Sequence, residues 1–202
     1  MLKKTWIAIT RMCGWTFAWP SDEVLQQARH AVIIMAPHTA VADFFLGAAS
    51  LWTYGIESRI FMKKEYFKTF GFILRQLGVV AVDRGNRSNG LVDKASQLLK
   101  ENPQLSIVIT PEGTRKSVRR WKRGFYEIAL AANVPVACTY LDYRKKEAGF
   151  KFILHPSGDF DTDMRTIMTH YQDVTARHPE GFNKQMCSLP PKKEPTSTDN
   201  KE

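Results

Sequence analysis

The chain has 202 residues and a formal net charge of +9, and it contains three cysteines. This length fits one domain with its own core, and the scattered cysteines lack metal-ligand spacing and favour a reducing compartment. No apolar run approaches the roughly 18 residues of a membrane-spanning helix. The excess positive charge implies an anionic partner, namely a phosphate-bearing metabolite, an anionic lipid or a nucleic acid.

Aromatic and basic residues are concentrated at the start of the chain. Three tryptophans and one phenylalanine fall within residues 6–19, after Lys3 and Lys4. A signal peptide fits poorly, because Arg11 interrupts the apolar region and no clear cleavage site follows. Tryptophan and basic side chains suit a membrane interface, so we predict an amphipathic membrane-interface segment over residues 1–20. A first helix packed on the domain is the alternative, and it is compatible with that prediction.

From residue 31 onwards, short apolar runs alternate with segments of helical pattern. The predicted strands are 31–36, 58–62, 79–82, 105–110, 134–140 and 150–154. The predicted helices are 39–55, 64–77, 91–101, 125–132 and 162–177. This alternation is typical of an α/β fold, so we predict a mainly parallel central sheet flanked by helices, within a single domain over residues 21–187. The Pro-, Ser-, Thr- and Lys-rich residues 188–202 are predicted to be a disordered tail.

A histidine and an aspartate lie where the first predicted strand ends. His38 follows Pro37, and Asp43 comes five residues after His38. Residues five apart are rotated by about 140° on a regular helix, so these side chains would not meet within one. An aspartate in the first turns of the helix can reach back if His38 lies in the preceding turn. An aspartate bonded to one ring nitrogen fixes the tautomer and stabilises the imidazolium, which suits a base that deprotonates a hydroxyl.

No serine or cysteine competes clearly for the role of an enzyme nucleophile. The chain has no Gly-x-Ser-x-Gly elbow, and Cys138 falls within a predicted buried strand. A base without a protein nucleophile indicates direct attack of a substrate hydroxyl on an activated acyl donor. The alternative for the isolated pair is a structural histidine at a helix start, with Asp43 capping nearby backbone.

A second short block, residues 111–115, follows another predicted strand. Gly113 permits a close backbone approach or a positive φ, Thr114 offers a hydroxyl, and Arg115 offers a planar fork suited to a phosphate. The carboxyl ends of strands form the usual ligand edge of an open α/β sheet, so we expect this block to lie near His38. An ordinary strand-to-loop turn with Arg115 on the surface is the alternative.

The positive charge is concentrated beside these motifs. Residues 59–87 hold seven basic and two acidic residues, and residues 112–127 hold six basic and two acidic residues. Lys63 and Lys64 follow one predicted strand and Arg84 closes the next, so we predict that they bind anions at the same sheet edge. A solvated turn is the alternative. A predicted membrane-surface or cofactor-phosphate patch consists of Arg119, Arg120, Lys122 and Arg123.

Together, these blocks resemble the glycerolipid acyltransferase family that includes lysophosphatidic acid acyltransferase. Residues 38–43 match its first motif, residues 79–84 resemble its second, residues 112–115 match its third, and residues 134–137 are similar to its fourth. The resemblance spans residues 31–140, in the family's order and approximate spacing.

The resemblance implies an O-acyltransferase that moves a fatty acyl chain from acyl-CoA or acyl carrier protein to the hydroxyl of a lysophospholipid or glycerolipid such as 1-acylglycerol-3-phosphate. It implies that His38 is the general base and Asp43 its orienting partner. It implies a substrate-binding set of Lys63, Lys64, Arg84, Glu112, Gly113, Thr114 and Arg115. It implies no metal, no cofactor besides the acyl thioester and no covalent acyl-enzyme, in a glycerolipid-acyltransferase-like sandwich on the cytoplasmic face of a membrane, as a peripheral or monotopic protein.

Three alternatives stay open. Pro37 stands where the family often has asparagine, so another lysolipid, such as a lyso-aminolipid, is an alternative acceptor. Hydrolysis of a thioester or lipid by water that His38 activates is an alternative reaction. A nucleic-acid-binding module is compatible with the charge, but the aromatic residues cluster at the N-terminus and no nucleic-acid motif occurs. The expected partners are therefore the acyl donor, a lysophospholipid and an anionic membrane surface, without nucleic acid.

Overall fold

A computed structural model describes residues 2–63, 71, 78–82 and 90–184 of the chain. Its strands are β1 (Thr16–Phe17), β2 (Val32–Ala36), β3 (Ser58–Lys63), β4 (Val79–Val82), β5 (Ser106–Ile109), β6 (Val136–Asp142) and β7 (Glu147–Leu154). Its α-helices are α1 (Leu2–Met12), α2 (Asp22–Ala28), α3 (Ala42–Thr53), α4 (Gly90–Glu101), α5 (Gly124–Ala132) and α6 (Phe160–Thr169). Among the described residues, no helix is long and apolar enough to cross a membrane.

The seven strands form one sheet in the order β1-β7-β6-β2-β5-β3-β4. β6, β2, β5, β3 and β4 are parallel to one another, whereas β7 pairs antiparallel with β6 at one side. β1 is a short edge strand parallel to β7. The sheet confirms the predicted α/β fold with a mainly parallel centre.

Two apolar layers cover the central strand, β2, whose five residues are all buried. Val32 and Ile34 face a layer that includes residues of α4, α5 and α6, while Ile33 and Met35 face α2 and α3. This burial on both faces explains the continuous apolar run in the sequence. Gly47 allows α3 to lie close to β2, because a Cβ at this position would lie 2.0 Å from the Met35 sulfur. The first turn of α3 is thereby fixed beside the end of β2.

The described part of the N-terminal segment, residues 2–20, is joined to the domain. α1 packs antiparallel on α3, because the Trp6 ring lies 5.1 Å from the Phe45 ring and the Lys3 ammonium lies 5.7 Å from the Trp52 ring. β1 then adds a strand to the sheet. The packed first helix considered in the sequence analysis is therefore present, and its contact with a membrane stays a prediction.

Two predicted helices have limits that differ from the structure by more than one residue. α3 begins at Ala42 instead of residue 39, because the Asp43 carboxylate accepts the N–H groups of Thr39 and Ala40 and stabilises a turn before the helix. α6 ends at Thr169 instead of continuing to residue 177. The chain then turns so that the buried Tyr171 donates its hydroxyl to the Thr139 carbonyl oxygen at 2.9 Å.

Two predicted segments fall wholly or largely outside the described residues. The helix predicted over residues 64–77 is described only at Gly71, which is helical. The predicted tail, residues 188–202, lies entirely outside them.

Candidate active site

The carboxyl ends of adjacent parallel strands bring the sequence motifs to one edge of the sheet. β2 ends at Ala36 and β5 ends at Ile109, and these two strands are neighbours. β3 and β4 are paired so that Lys63 lies opposite Val82 at the same edge. Lys63 therefore ends its strand where the sequence predicted an anion site. Lys64 and Arg84 lie outside the described residues.

His38 lies in the turn between β2 and α3, as its spacing from Asp43 predicts. The imidazole Nδ1 lies 3.3 Å from Asp43 Oδ2, and the side chain of His38 is 18% exposed while that of Asp43 is fully buried. The two atoms are at ion-pair distance, but Nδ1 is not aligned for a hydrogen bond. Catalytic hydrogen bonds are often long without substrate and tighten in the complex. The pair therefore has the arrangement of a base and its orienting carboxylate.

Hydrogen-bond donors surround the Asp43 carboxylate. Oδ2 accepts the N–H groups of Thr39 at 2.7 Å and Ala40 at 2.8 Å, and Oδ1 accepts the Tyr143 hydroxyl at 2.5 Å. Burial raises the pKa of Asp43, but the His38 contact, the Tyr143 hydroxyl and the two backbone donors outweigh it and hold the pKa below its ordinary value. The carboxylate therefore stays ionised and can stabilise an imidazolium on His38.

Glu112 supports the loop that carries His38. Its side chain is 3% exposed, and Oε1 accepts the backbone N–H of His38 at 3.0 Å. Burial raises the pKa of Glu112 to about 8, and the Asp43 charge acts in the same direction against the lowering effect of backbone hydrogen bonds. At neutral pH this carboxyl is therefore mostly protonated, which avoids a second negative charge beside Asp43.

Gly113 turns the chain away from β5. Its φ is +65°, which confirms the positive φ anticipated from the sequence. A Cβ here would lie 2.9 Å from Lys122 Cε, so the absence of a side chain allows Lys122 to lie across the loop. The backbone N–H of Lys122 donates to the Pro111 carbonyl oxygen at 3.0 Å. Thr114 and Arg115 follow on the exposed side of the loop.

Lys122 and Arg123 have different surroundings, although the sequence places both in one basic patch. The Arg123 guanidinium lies 4.7 Å from the centre of the Phe160 ring. Lys122 instead lies against the Gly113 loop and is exposed, as is Arg115 on that loop. The sequence did not distinguish Lys122 from the other basic residues of that patch. Its position depends on the close approach of its side chain to Gly113, which residue spacing does not reveal.

The acyltransferase family model matches residues 21–141, which is more than half of the chain. The chain belongs to the acyltransferase family. The matched range includes the His38–Asp43 pair and the Glu112–Arg115 loop, and it confirms the family indicated by the sequence. The protein is therefore an enzyme that transfers acyl groups. A comparison with curated proteins found no match.

Residues of this acyltransferase beyond the matched range also lie at the candidate site. Residues 177–183, here called the C-terminal strap, cross both motif loops. The backbone N–H of His178 donates to Thr39 Oγ1 at 3.2 Å. A Cβ at Gly181 would lie 3.0 Å from both the Arg115 carbonyl oxygen and Thr39 Cγ2. The strap therefore holds the His38 loop and the Arg115 loop against each other.

Tyr143 and Arg177 are further candidate residues of the acyltransferase that the sequence did not reveal. Tyr143 directly follows β6 and donates to Asp43, and the Arg177 guanidinium lies 5.7 Å from the centre of the Tyr143 ring. Tyr143 is 100 residues from Asp43 in the chain. A contact at that separation depends on the parallel pairing of β2 with β6, which brings the end of β6 beside the His38 turn and has no local signal in the sequence.

Proposed function

We propose that this acyltransferase moves a fatty acyl chain from acyl-CoA or acyl carrier protein to the hydroxyl of a lysophospholipid or glycerolipid such as 1-acylglycerol-3-phosphate. His38 is the general base of this proposal. The observation that carries it is the 3.3 Å contact between the partly exposed imidazole and the fully buried Asp43 carboxylate. A neutral imidazole beside a fixed carboxylate can take a proton from a hydroxyl at neutral pH.

In the proposed reaction, His38 Nε2 takes the hydroxyl proton as the acceptor oxygen attacks the thioester carbonyl carbon. Asp43, facing Nδ1, stabilises the imidazolium that forms. The tetrahedral intermediate then collapses, and the carbon–sulfur bond breaks. The imidazolium returns its proton to the departing sulfur, so the products are an ester and a free thiol, and His38 is neutral again.

The surroundings of Cys138 support direct transfer over an acyl-enzyme route through this thiol. Cys138 is fully buried in β6. Burial raises the pKa of its thiol despite an opposing contact from Tyr171, so the nucleophilic thiolate is disfavoured.

The acceptor phosphate has candidate partners on the loop after β5. Arg115 and Lys122 are both exposed and belong to the loop that Glu112 links to His38. A guanidinium can donate two parallel hydrogen bonds to phosphate oxygens, and an ammonium adds a point charge at the end of a flexible side chain. Lys63, Lys64 and Arg84 stay predicted contributors to this site.

We further propose that the enzyme works at an anionic membrane surface on the cytoplasmic side. Ile9 and Met12 on α1 are 41% and 86% exposed, and Val41, three residues after His38, is 58% exposed. Because α1 runs antiparallel to α3, its C-terminal half lies towards the sheet edge that carries His38. Exposed basic residues of the same helix are Lys3, Lys4 and Arg11. This combination of apolar and basic side chains suits an interface with anionic lipid.

An acceptor panel with one isotopically labelled acyl-CoA, read by mass spectrometry, tests the proposal. Lysophosphatidic acid, an uncharged lysolipid and a lyso-aminolipid are compared, with carrier protein as a second donor. Label in an ester of the phosphorylated acceptor supports the proposal. Label only in free fatty acid identifies a hydrolase, and label only in another lysolipid overturns the assigned acceptor.

A further inference from the structure

We propose that Tyr143 is a positioning residue that sets the proton affinity of the His38–Asp43 pair, with Arg177 supporting it. This inference rests on the proposed role of His38 as the base. It adds residues that lie outside the range matched by the family model, which ends at residue 141.

The two oxygens of the Asp43 carboxylate accept hydrogen bonds from different groups. Oδ2 faces the His38 imidazole and accepts two backbone N–H groups, whereas Oδ1 accepts the Tyr143 hydroxyl. Because Asp43 is fully buried, loss of the phenol leaves Oδ1 without this donor in a site that water does not reach. Tyr143 therefore stabilises negative charge on the carboxylate without touching the substrate-facing side of His38.

Tyr143 is held in place from three directions. Its backbone N–H donates to the Thr175 carbonyl oxygen at 2.8 Å, and the Trp15 ring meets its ring edge-on with 4.9 Å between centres. The Arg177 guanidinium approaches its ring to 5.7 Å. A phenol fixed in this way loses little further freedom when it donates to Asp43, so the bond is pre-organised.

The phenol remains a donor throughout the pH range in which a histidine base operates. Burial and the bond to Asp43 both raise the pKa of Tyr143, while the Arg177 charge acts in the opposite direction. The proton therefore stays on the phenol oxygen, and the nearby cation makes that proton a stronger donor to the carboxylate.

The groups that face the pair fix the sign of the expected effect. Glu112 faces it from the loop after β5 and Tyr143 from the turn after β6, while Arg177 of the C-terminal strap acts on the Tyr143 phenol. Without the phenol hydroxyl, the state with ionised Asp43 and neutral His38 is less stable. The pair then holds an added proton more tightly, whether that proton lies on His38 or on Asp43. The pH at which the pair loses this proton rises, so the acid limb of the kcat/KM profile moves to higher pH.

The test is Tyr143→Phe, with Tyr140→Phe as the matched control. The Tyr140 hydroxyl of β6 donates to Glu147 of β7 instead of to Asp43. We expect Tyr143→Phe to shift the acid limb upwards by about half to one pH unit, since one unit corresponds to a tenfold change in the protonation equilibrium. The loss of kcat should be largest at low pH and shrink as pH rises, with the acceptor KM nearly unchanged. Arg177→Gln should give a smaller shift in the same direction.

An equal loss of activity at every pH, or a profile equal to that of Tyr140→Phe, would assign Tyr143 a merely structural role and overturn the inference. Circular dichroism checks that each variant folds. If Tyr143→Phe does not fold, Arg177→Gln tests the inference in its place. The NMR titration of the His38 imidazole provides a readout independent of activity. A titration that moves upwards without acyl transfer would support Tyr143 and contradict the proposed function. Acyl transfer that depends on His38, with the same His38 titration in wild type and Tyr143→Phe, would support the proposed function and contradict the role of Tyr143.

Discussion

The backbone N–H of His38 donates a hydrogen bond to the buried carboxyl of Glu112 at 3.0 Å. This bond joins the loop after β2 to the loop after β5, and these strands are neighbours in the sheet. The histidine motif and the Glu-Gly-Thr-Arg motif are therefore one structural unit. Glu112 holds the backbone of the candidate base, while Arg115 on the same loop is exposed.

Glu112→Gln should change how stability depends on pH. Burial raises the pKa of Glu112 to about 8 from its ordinary value of 4.5, so the folded protein keeps a proton that the unfolded chain has already lost. The contribution of Glu112 to stability therefore falls as pH rises from about 4.5 to about 8, with a slope of at most about 1.4 kcal/mol per pH unit. Glutamine keeps a carbonyl oxygen for the His38 N–H and does not titrate.

Urea unfolding at several pH values between about 5 and 9 measures this effect as the difference between wild type and variant. We expect Glu112→Gln to gain stability relative to wild type as pH rises across that window. Glu127→Gln, an exposed change on α5, is the control and should show no such trend. A stability difference between wild type and Glu112→Gln that stays constant with pH would contradict a proton held on Glu112.

Asp43→Asn should lower kcat by roughly 10²- to 10⁴-fold, because the amide lacks the charge that stabilises the imidazolium. The amide oxygen can still accept the N–H groups of Thr39 and Ala40, so the turn before α3 should form. Steady-state kinetics with circular dichroism measures both points. Asp142→Asn is a suitable control, since Asp142 is also buried and accepts backbone N–H groups in a turn. Retention of more than about a tenth of the wild-type kcat would argue against the role of Asp43.

The sequence predicts the features that local patterns encode. The apolar run of β2, the start of the turn at Pro37 and the five-residue spacing of His38 and Asp43 place the histidine correctly between strand and helix. The alternation of strands and helices indicates parallel strands, whose carboxyl ends share one edge of the sheet. Residues 111–115 are therefore predicted to lie at the same edge as His38. Each step depends on neighbours in the chain or on a general rule of α/β sheets.

Features that depend on distant contacts were not predictable from these patterns. The two-residue strand β1 and the seven-residue helix α2 are too short to give a clear period, so neither is predicted from the sequence. The Tyr143–Asp43 bond requires β6 to pair beside β2, and the position of Lys122 requires the close approach at Gly113. The C-terminal strap follows a helix that was predicted to be longer than it is.

Arg115→Ala and Lys122→Ala should each raise the KM for a phosphorylated acceptor by about tenfold, with a smaller effect on kcat, if these cations bind the phosphate before and during the reaction. Lys100→Ala removes an equal charge from the end of α4 and serves as the control. The KM for an uncharged lysolipid should not change. An unchanged KM for the phosphorylated acceptor would exclude the altered residue from phosphate binding.

Replacing Ile9 and Met12 together by serine should weaken binding to vesicles that contain anionic lipid by roughly tenfold or more, since burial of each side chain is worth about 1.5–3 kcal/mol at full burial. Sedimentation with vesicles measures the partition. Leu130 is 44% exposed on α5, so Leu130→Ser tests whether any exposed apolar residue has the same effect. Equal losses in both variants would contradict a specific membrane-facing surface on α1.

The central claim is that His38 is the base that activates the acceptor hydroxyl. The most direct measurement is the rate of labelled acyl transfer to a lysophospholipid by His38→Ala, compared with wild type and with His155→Ala. His155 bonds to Gln27 on the exposed surface. We expect His38→Ala to lose about 10³-fold or more in kcat with its fold intact, and His155→Ala to match wild type. Substantial transfer by a folded His38→Ala variant would contradict the account.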